Sequence, residues 1–145
     1  MNARILALDV GKRRIGVAVS DELRLTAQGL PTVERTNLKE DLAVISRIAA
    51  EKGAVLILVG HPVTMSGDEG RQALWVRRFA EALGEHSGIA VRLWDERLTS
   101  VEAGRVLRSS GISIEKRARA VDRLSAVILL QSYLDSLGFA EAEPA

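Results

Sequence analysis

The chain has no cysteine and only two histidines. Disulfides and thiolate zinc sites are therefore excluded, and any bound metal has to be held by oxygen atoms or by those two imidazoles. That favours hard-cation chemistry. Long apolar runs are missing as well: the longest, Ala54–Val59, falls far short of the roughly 20 residues a membrane-spanning helix needs. Met1–Arg4 leads directly into an apolar run without a leader pattern, so a soluble cytoplasmic protein is expected. Net charge is only +1, which by itself indicates no polyanionic partner. No internal repeat or low-complexity stretch interrupts the sequence.

What is present fits one globular domain. At 145 residues and 47% apolar content the chain builds a core of ordinary size and is too short for two lobes clasping a ligand. A single domain over residues 1–138 is expected, with 139–145 as a tail. The organising stretch is Ile5–Ser20. A four-residue apolar run ends at Asp9, a glycine-containing turn carries Lys12, Arg13 and Arg14, and a second short run alternates branched Ile15, Val17 and Val19 with small Gly16, Ala18 and Ser20. This pattern predicts a strand, a tight turn and a returning antiparallel strand whose small-residue face admits a helix or a substrate. An ionised carboxylate at the end of an apolar strand is costly unless something positive compensates it, so Asp9 implies a cation, a donor nest or an ion pair.

Leu23, Leu25, Ala27, Leu30 and Val33, with Gly29 and Pro31 among them, read as a third, irregular antiparallel strand within residues 21–35. Asn37 with Glu40 caps a helix whose stripe of Leu38, Leu42, Ile45, Ile48 and Ala49 runs to about Lys52, where Gly53 ends it. Val55–Val59 reads as a strand buried on both faces, stopping at Gly60 before a loop that begins with His61. A second helix is expected over residues 71–83, with Val76, Phe79, Ala80 and Leu83 inward and Trp75 either stacking a base or covering the sheet edge. Residues 91–94 form the next strand, which ends in Asp95 and Glu96; Thr99 with Glu102 opens a helix to about Ser109. Residues 112–120 read as a basic loop, and a last helix runs from about Val121 to Leu137. The order implies an α/β fold with a mixed five-stranded sheet, three antiparallel strands followed by βαβ crossovers, flanked by helices.

Acids at the carboxyl ends of the first and last strands meet if those strands lie close. With Asp122 in the first turn of the last helix, Asp9 and Glu96 then supply three oxygen ligand groups, enough for Mg²⁺ or Mn²⁺ bound through carboxylates, water and substrate phosphate. Two such ions about 4 Å apart activate water and stabilise the leaving oxygen of a phosphodiester, so no protein nucleophile is needed. The plainer alternatives stay open: Asp122 complementing its helix dipole, and Asp95 or Glu96 pairing with Arg97. Strand alternation puts Asp95 and Glu96 on opposite faces; Glu96 is the one expected to join Asp9. Ser125, Ala126 and Leu129 share the Asp122 face of the helix, which therefore looks inward. Lys12, Arg13, Arg14, Arg97, Lys116, Arg117, Arg119 and Arg123 cluster around these acids and suit a phosphate backbone; a solvated charged surface is the bland reading of either cluster.

Four blocks, Leu8–Asp21, Gly60–Gly70, Asp95–Ser100 and Val121–Leu134, resemble in order the motifs of the YqgF/RuvX family over essentially the whole chain. The resemblance implies a ribonuclease-H-like fold related to the junction resolvase RuvC, and nucleases that process the 5′ end of pre-16S ribosomal RNA. Carried across residue by residue, Asp9, Glu96 and Asp122 match that family's three active-site acids. Where the family commonly has Leu and Asn, His61 and Thr64 stand here, and where RuvC-type resolvases carry a further acid, Ser125 stands. Four functions compete: a divalent-metal ribonuclease; a resolvase of four-way DNA junctions, which needs a dimer; a nucleic-acid-binding protein that does not cut; and an actin-like ATPase, which Asp9–Gly11 and its hairpin also resemble. Nucleic acid is the expected partner, with RNA favoured and structured DNA the alternative, and the protein is expected to be a monomer or homodimer.

Overall fold

A computed structural model of the chain describes residues 4–62, 70–95 and 124–137. Five strands form one sheet, β1 (Arg4–Val10), β2 (Arg14–Ser20), β3 (Ala27–Glu34), β4 (Ala54–His61) and β5 (Ala90–Asp95), in the order β3-β2-β1-β4-β5. β1 is central, antiparallel to β2 and parallel to β4, and β5 extends the parallel half. Three helices are described: α1 (Leu38–Lys52), α2 (Arg71–Ser87) and α3 over residues 124–137.

The sheet is sandwiched, which explains why β1 reads as a continuous apolar run instead of alternating. Leu6, Leu8 and Val10 turn to the side of α1 and α2, where they meet Ile45, Val76, Phe79 and Leu83. Ile5 and Ala7 turn the other way, under Ala126, Leu129, Leu130 and Leu134 of α3. Ala18 of β2 lies in this second layer, so the small-residue face of β2 admits a helix. Ser20 is also structural: its Oγ accepts from the Ile5 N–H (2.8 Å).

α1 begins and ends as its sequence predicts. Asn37 Oδ1 accepts from the Glu40 N–H (2.9 Å), and Gly53 closes the helix in the left-handed region (φ 69°); such an N-cap contributes about 1 kcal/mol. α2 runs one turn beyond its predicted end, to Ser87, with its apolar stripe buried as expected. β3 is shorter than expected. Leu23 and Leu25 lie in the β2–β3 turn, 77% and 65% exposed, and pairing begins only at Ala27. Its irregularity is a register shift between Ile15 and Val17, opposite the stretch holding Pro31, where a residue without an N–H costs no ladder bond. β4 also differs: it continues through Gly60 to His61, which is therefore a strand residue, not a loop residue, and Val55 at its start is exposed.

α3 is anchored on both flanks. Gln131 bridges the start of β3, accepting from the Ala27 N–H and donating to the Leu25 carbonyl (both 3.2 Å). Tyr133 packs edge-on against Trp94 (5.0 Å between centroids), and its hydroxyl accepts from Arg92 (3.3 Å).

Candidate active site

Asp9 lies one residue before the end of β1, opposite Gly16 of β2, and is half-buried. It follows Ile5 and Ala7 in the strand alternation, so it belongs to the face covered by α3. The parallel half of the sheet brings the carboxyl ends of β4 and β5 to the same edge: Gly60 pairs with Trp94, and His61 with Asp95. Trp94 packs in the α3 layer. Asp95, next along the strand, takes the other side and is exposed.

Of the predicted acids, Asp9 alone falls in the described residues. Glu96 and Asp122 lie outside them, as do Arg97, Lys116, Arg117, Arg119 and Arg123, the predicted 99–109 helix, the 112–120 loop, the 139–145 tail and Thr64. Among the described residues no group of three metal-capable side chains gathers. The described part of the site does fit a hard cation in its chemistry. Asp9 supplies an oxygen donor at a half-buried position, and Ser125 of α3, the helix covering that face, has a hydroxyl that is buried (2% exposed) with no hydrogen-bond partner among the described residues. An unsatisfied buried hydroxyl costs about 1–3 kcal/mol and indicates a place where water or another polar group is accommodated.

The turn after Asp9 is built to display cations. Lys12 and Arg13 are exposed, and Arg14, half-buried, opens β2. The turn closes through the Gly11 N–H to the Arg14 carbonyl (2.9 Å). It is also held from outside, by a residue that sequence reasoning missed. Arg35 donates from its backbone N–H to the Arg13 carbonyl (2.9 Å), and from Nη1 to the carbonyls of Gly11 (2.7 Å) and Lys12 (3.3 Å). Its guanidinium stacks on Trp75 (4.2 Å to the ring centre), and its Nε lies 3.8 Å from buried Asp41. Trp75 in turn stacks on Phe79 (5.6 Å). Trp75 is thus committed to packing, closer to the edge-covering expectation than to base stacking. Gln72 of α2 adds a bond to the Val10 carbonyl (3.4 Å). No short-range spacing links residues 11, 35, 41 and 75, so no sequence pattern announced this cluster.

The described groove of about 720 Å³ between α2 and β5, lined by Arg77, Gly84, Ile89 and Val91 among others, opens on the α2 side of the sheet, the face opposite Asp9. No helix among the described residues is long and apolar enough to cross a membrane.

This sheet order defines a class of fold. RuvC from T. thermophilus, solved with a Holliday junction substrate, superposes with a TM-score of 0.58 at 12% identity over 93% of this chain and 96% of that one. The fowlpox virus resolvase, in complex with junction DNA, gives 0.56 at 12% identity over 92% and 98%. The fold is therefore the ribonuclease-H-like fold of these resolvases. A family model described as RuvX, Holliday junction resolvase, matches residues 3–136, and the chain belongs to that family. Relatives include proteins named "Putative pre-16S rRNA nuclease" from Koribacter versatilis, 49% identical over 99% of this chain and 94% of that one, and from Myxococcus xanthus, 44% identical over 92% and 88%.

Proposed function

We propose that the protein is a divalent-metal-dependent nuclease that hydrolyses phosphodiester bonds in RNA, acting in the cytoplasm on the 5′ end of pre-16S ribosomal RNA. The observation that carries this reading is the place of Asp9: near the carboxyl end of the central strand of a resolvase-like sheet, on the α3 face, with a cation-bearing turn directly after it. Family membership and the names of the relatives support it.

In this reading Asp9, Glu96 and Asp122 together hold Mg²⁺ or Mn²⁺. The bound metal supplies an activated water and charge stabilisation at the leaving oxygen. The chain's own part is to place three carboxylates from distant positions at one sheet edge and to hold the substrate's phosphates there. Lys12, Arg13 and Arg14 do so on the β1–β2 side, joined by Arg97, Lys116, Arg117, Arg119 and Arg123; arginine forks fix phosphate geometry, and lysine adds point charge. Asp95 stands outside the carboxylate set.

The family's description as a Holliday junction resolvase favours a second reading, in which the same carboxylates cut structured DNA. Two cuts in one junction require a dimer. The test is competition between an RNA carrying the 5′ leader of 16S and a four-way DNA junction in the same metal buffer, with light scattering at working concentration. RNA cleavage by a monomer supports the first reading; paired cuts in the junction by a dimer overturn it in favour of the second.

A further inference from the structure

The β1–β2 turn poses a physical problem. Three consecutive cations project from a short turn, two of them on exposed residues, and their mutual repulsion favours splaying. A turn that meets phosphates productively has to hold these charges in a fixed arrangement, because ordering them on binding costs entropy. The turn's own closure is one backbone bond, from Gly11 to Arg14.

Arg35 adds order along the turn's backbone, beside the Gln72 bond to the Val10 carbonyl. Three successive carbonyls of the turn, those of Gly11, Lys12 and Arg13, accept hydrogen bonds from this one residue. A fourth cation beside three others is tolerable because its charge is answered from behind. Asp41, almost fully buried, lies 3.8 Å from Nε and is itself fixed by the Thr36 N–H (3.1 Å), while the electron-rich face of Trp75 lies beneath the guanidinium. Nη1 is directed at backbone oxygens, and only 22% of the side chain is exposed, so Arg35 is placed to act on the turn and not on a ligand. A planar fork that donates at one edge while stacking on a ring is a property of arginine that lysine lacks.

We infer that Arg35 is the positioning residue for the phosphate-gripping turn: with Asp41 and Trp75 it ties the turn's backbone to α1 and α2, so that Lys12, Arg13 and Arg14 are presented as a preformed set. The inference rests on the reading above that this turn grips nucleic-acid phosphates. It places no contact between Arg35 and substrate.

A double-mutant cycle tests it, with binding of a 5′-labelled single-stranded RNA read on the Asp9→Asn background in Mg²⁺. Arg35→Met is expected to weaken binding several-fold in the chain with its turn cations intact, and to change nothing further once Lys12, Arg13 and Arg14 are all alanine. Equal losses in both backgrounds would show direct substrate contact or a general fold defect, and would overturn the inference. A second readout needs no RNA: Arg35→Met should accelerate tryptic nicking after residues 12–14 while the cooperative melt is kept, and an unchanged nicking rate would overturn it. Should Arg35→Met not fold, Trp75→Leu, which keeps Arg35 but removes the face beneath its guanidinium along with the Phe79 stack, is carried through the same two measurements with the same expectations, its cooperative melt confirming the fold. If the triple alanine variant binds RNA as tightly as the parent, the functional reading itself fails, an outcome distinct from failure of Arg35 alone.

Discussion

The two hairpin turns of the sheet draw on the rest of the fold to different extents. The β2–β3 turn is held mostly by its own residues: Asp21 Oδ1 accepts from the N–H groups of Leu25 (2.7 Å) and Thr26 (3.0 Å), and Asp21 bonds through its backbone to Arg24 and Thr26, while Gln131 of α3 adds one bond at the Leu25 carbonyl. The β1–β2 turn is held largely from elsewhere, by Arg35 and, one residue before it, by Gln72 of α2. The first arrangement can be written within six residues of sequence, whereas the second needs a folded sheet and two helices. The turn that depends on the whole fold is the one beside Asp9. The one held mostly by its own residues sits at the other end of β2, where Ser20 pairs with Ala27.

The contrast predicts where substitutions act. Replacing Lys12, Arg13 and Arg14 together by alanine should reduce RNA affinity by more than any change in the other turn, and lower the slope of log affinity against log salt by about 0.7 for each single-strand phosphate that is no longer neutralised. Titrating binding from low to high salt checks this, with Arg24→Ala as the comparison at the other turn and an unchanged slope expected for it. Next in size is Gln131→Ala, which leaves the Ala27 N–H and Leu25 carbonyl without their α3 partner and should cost about 1–2 kcal/mol in urea unfolding without altering the salt slope.

Asp21 gives a pH-dependent version. The Thr26 N–H, most of all, and then the Leu25 N–H hold its carboxyl below the ordinary 3.8 against the opposing effect of desolvation. A depressed folded-state value means that its contribution is fully present above 3.8 and is lost as pH falls through the folded value. Asp21→Ala should therefore melt below the parent at neutral pH, and the gap between their melting temperatures should close in strong acid; a gap independent of pH would contradict this assignment. The smallest effect is expected at Arg24, whose φ of 59° is strained for a residue with a side chain. Arg24→Gly removes about 1 kcal/mol of backbone strain but loosens the unfolded chain by a similar amount, so thermal melting should move little.

The same contrast explains how far the sequence could be read. The mixed sheet and the α1 caps were legible because period, capping residues and apolar runs are local signals, as Asn37, Gly53 and β1 illustrate. The end of β4 was not: Gly60 reads as a stop, yet pairing with β5 carries the strand to His61. Leu23 and Leu25 were drawn into β3 by their hydrophobicity, whereas Asp21 folds them into an exposed turn. At the site, Asp9 and its cations stood out because charge at the end of an apolar strand is conspicuous. Arg35, Asp41 and Trp75 did not, since each is ordinary in its own neighbourhood and they meet only across the fold. Glu96 and Asp122 rest on motif resemblance and on the position of Asp9.

The most direct test of the carboxylate site is cleavage of end-labelled single-stranded RNA by the parent protein and by Asp9→Asn in parallel, each with Mn²⁺, Mg²⁺ or EDTA. Metal-dependent cutting by the parent is predicted, abolished by EDTA and lost in an Asp9→Asn variant that melts as the parent does. Equal cutting by a folded Asp9→Asn variant, or cutting that persists in EDTA, would contradict a metal-dependent site built on Asp9.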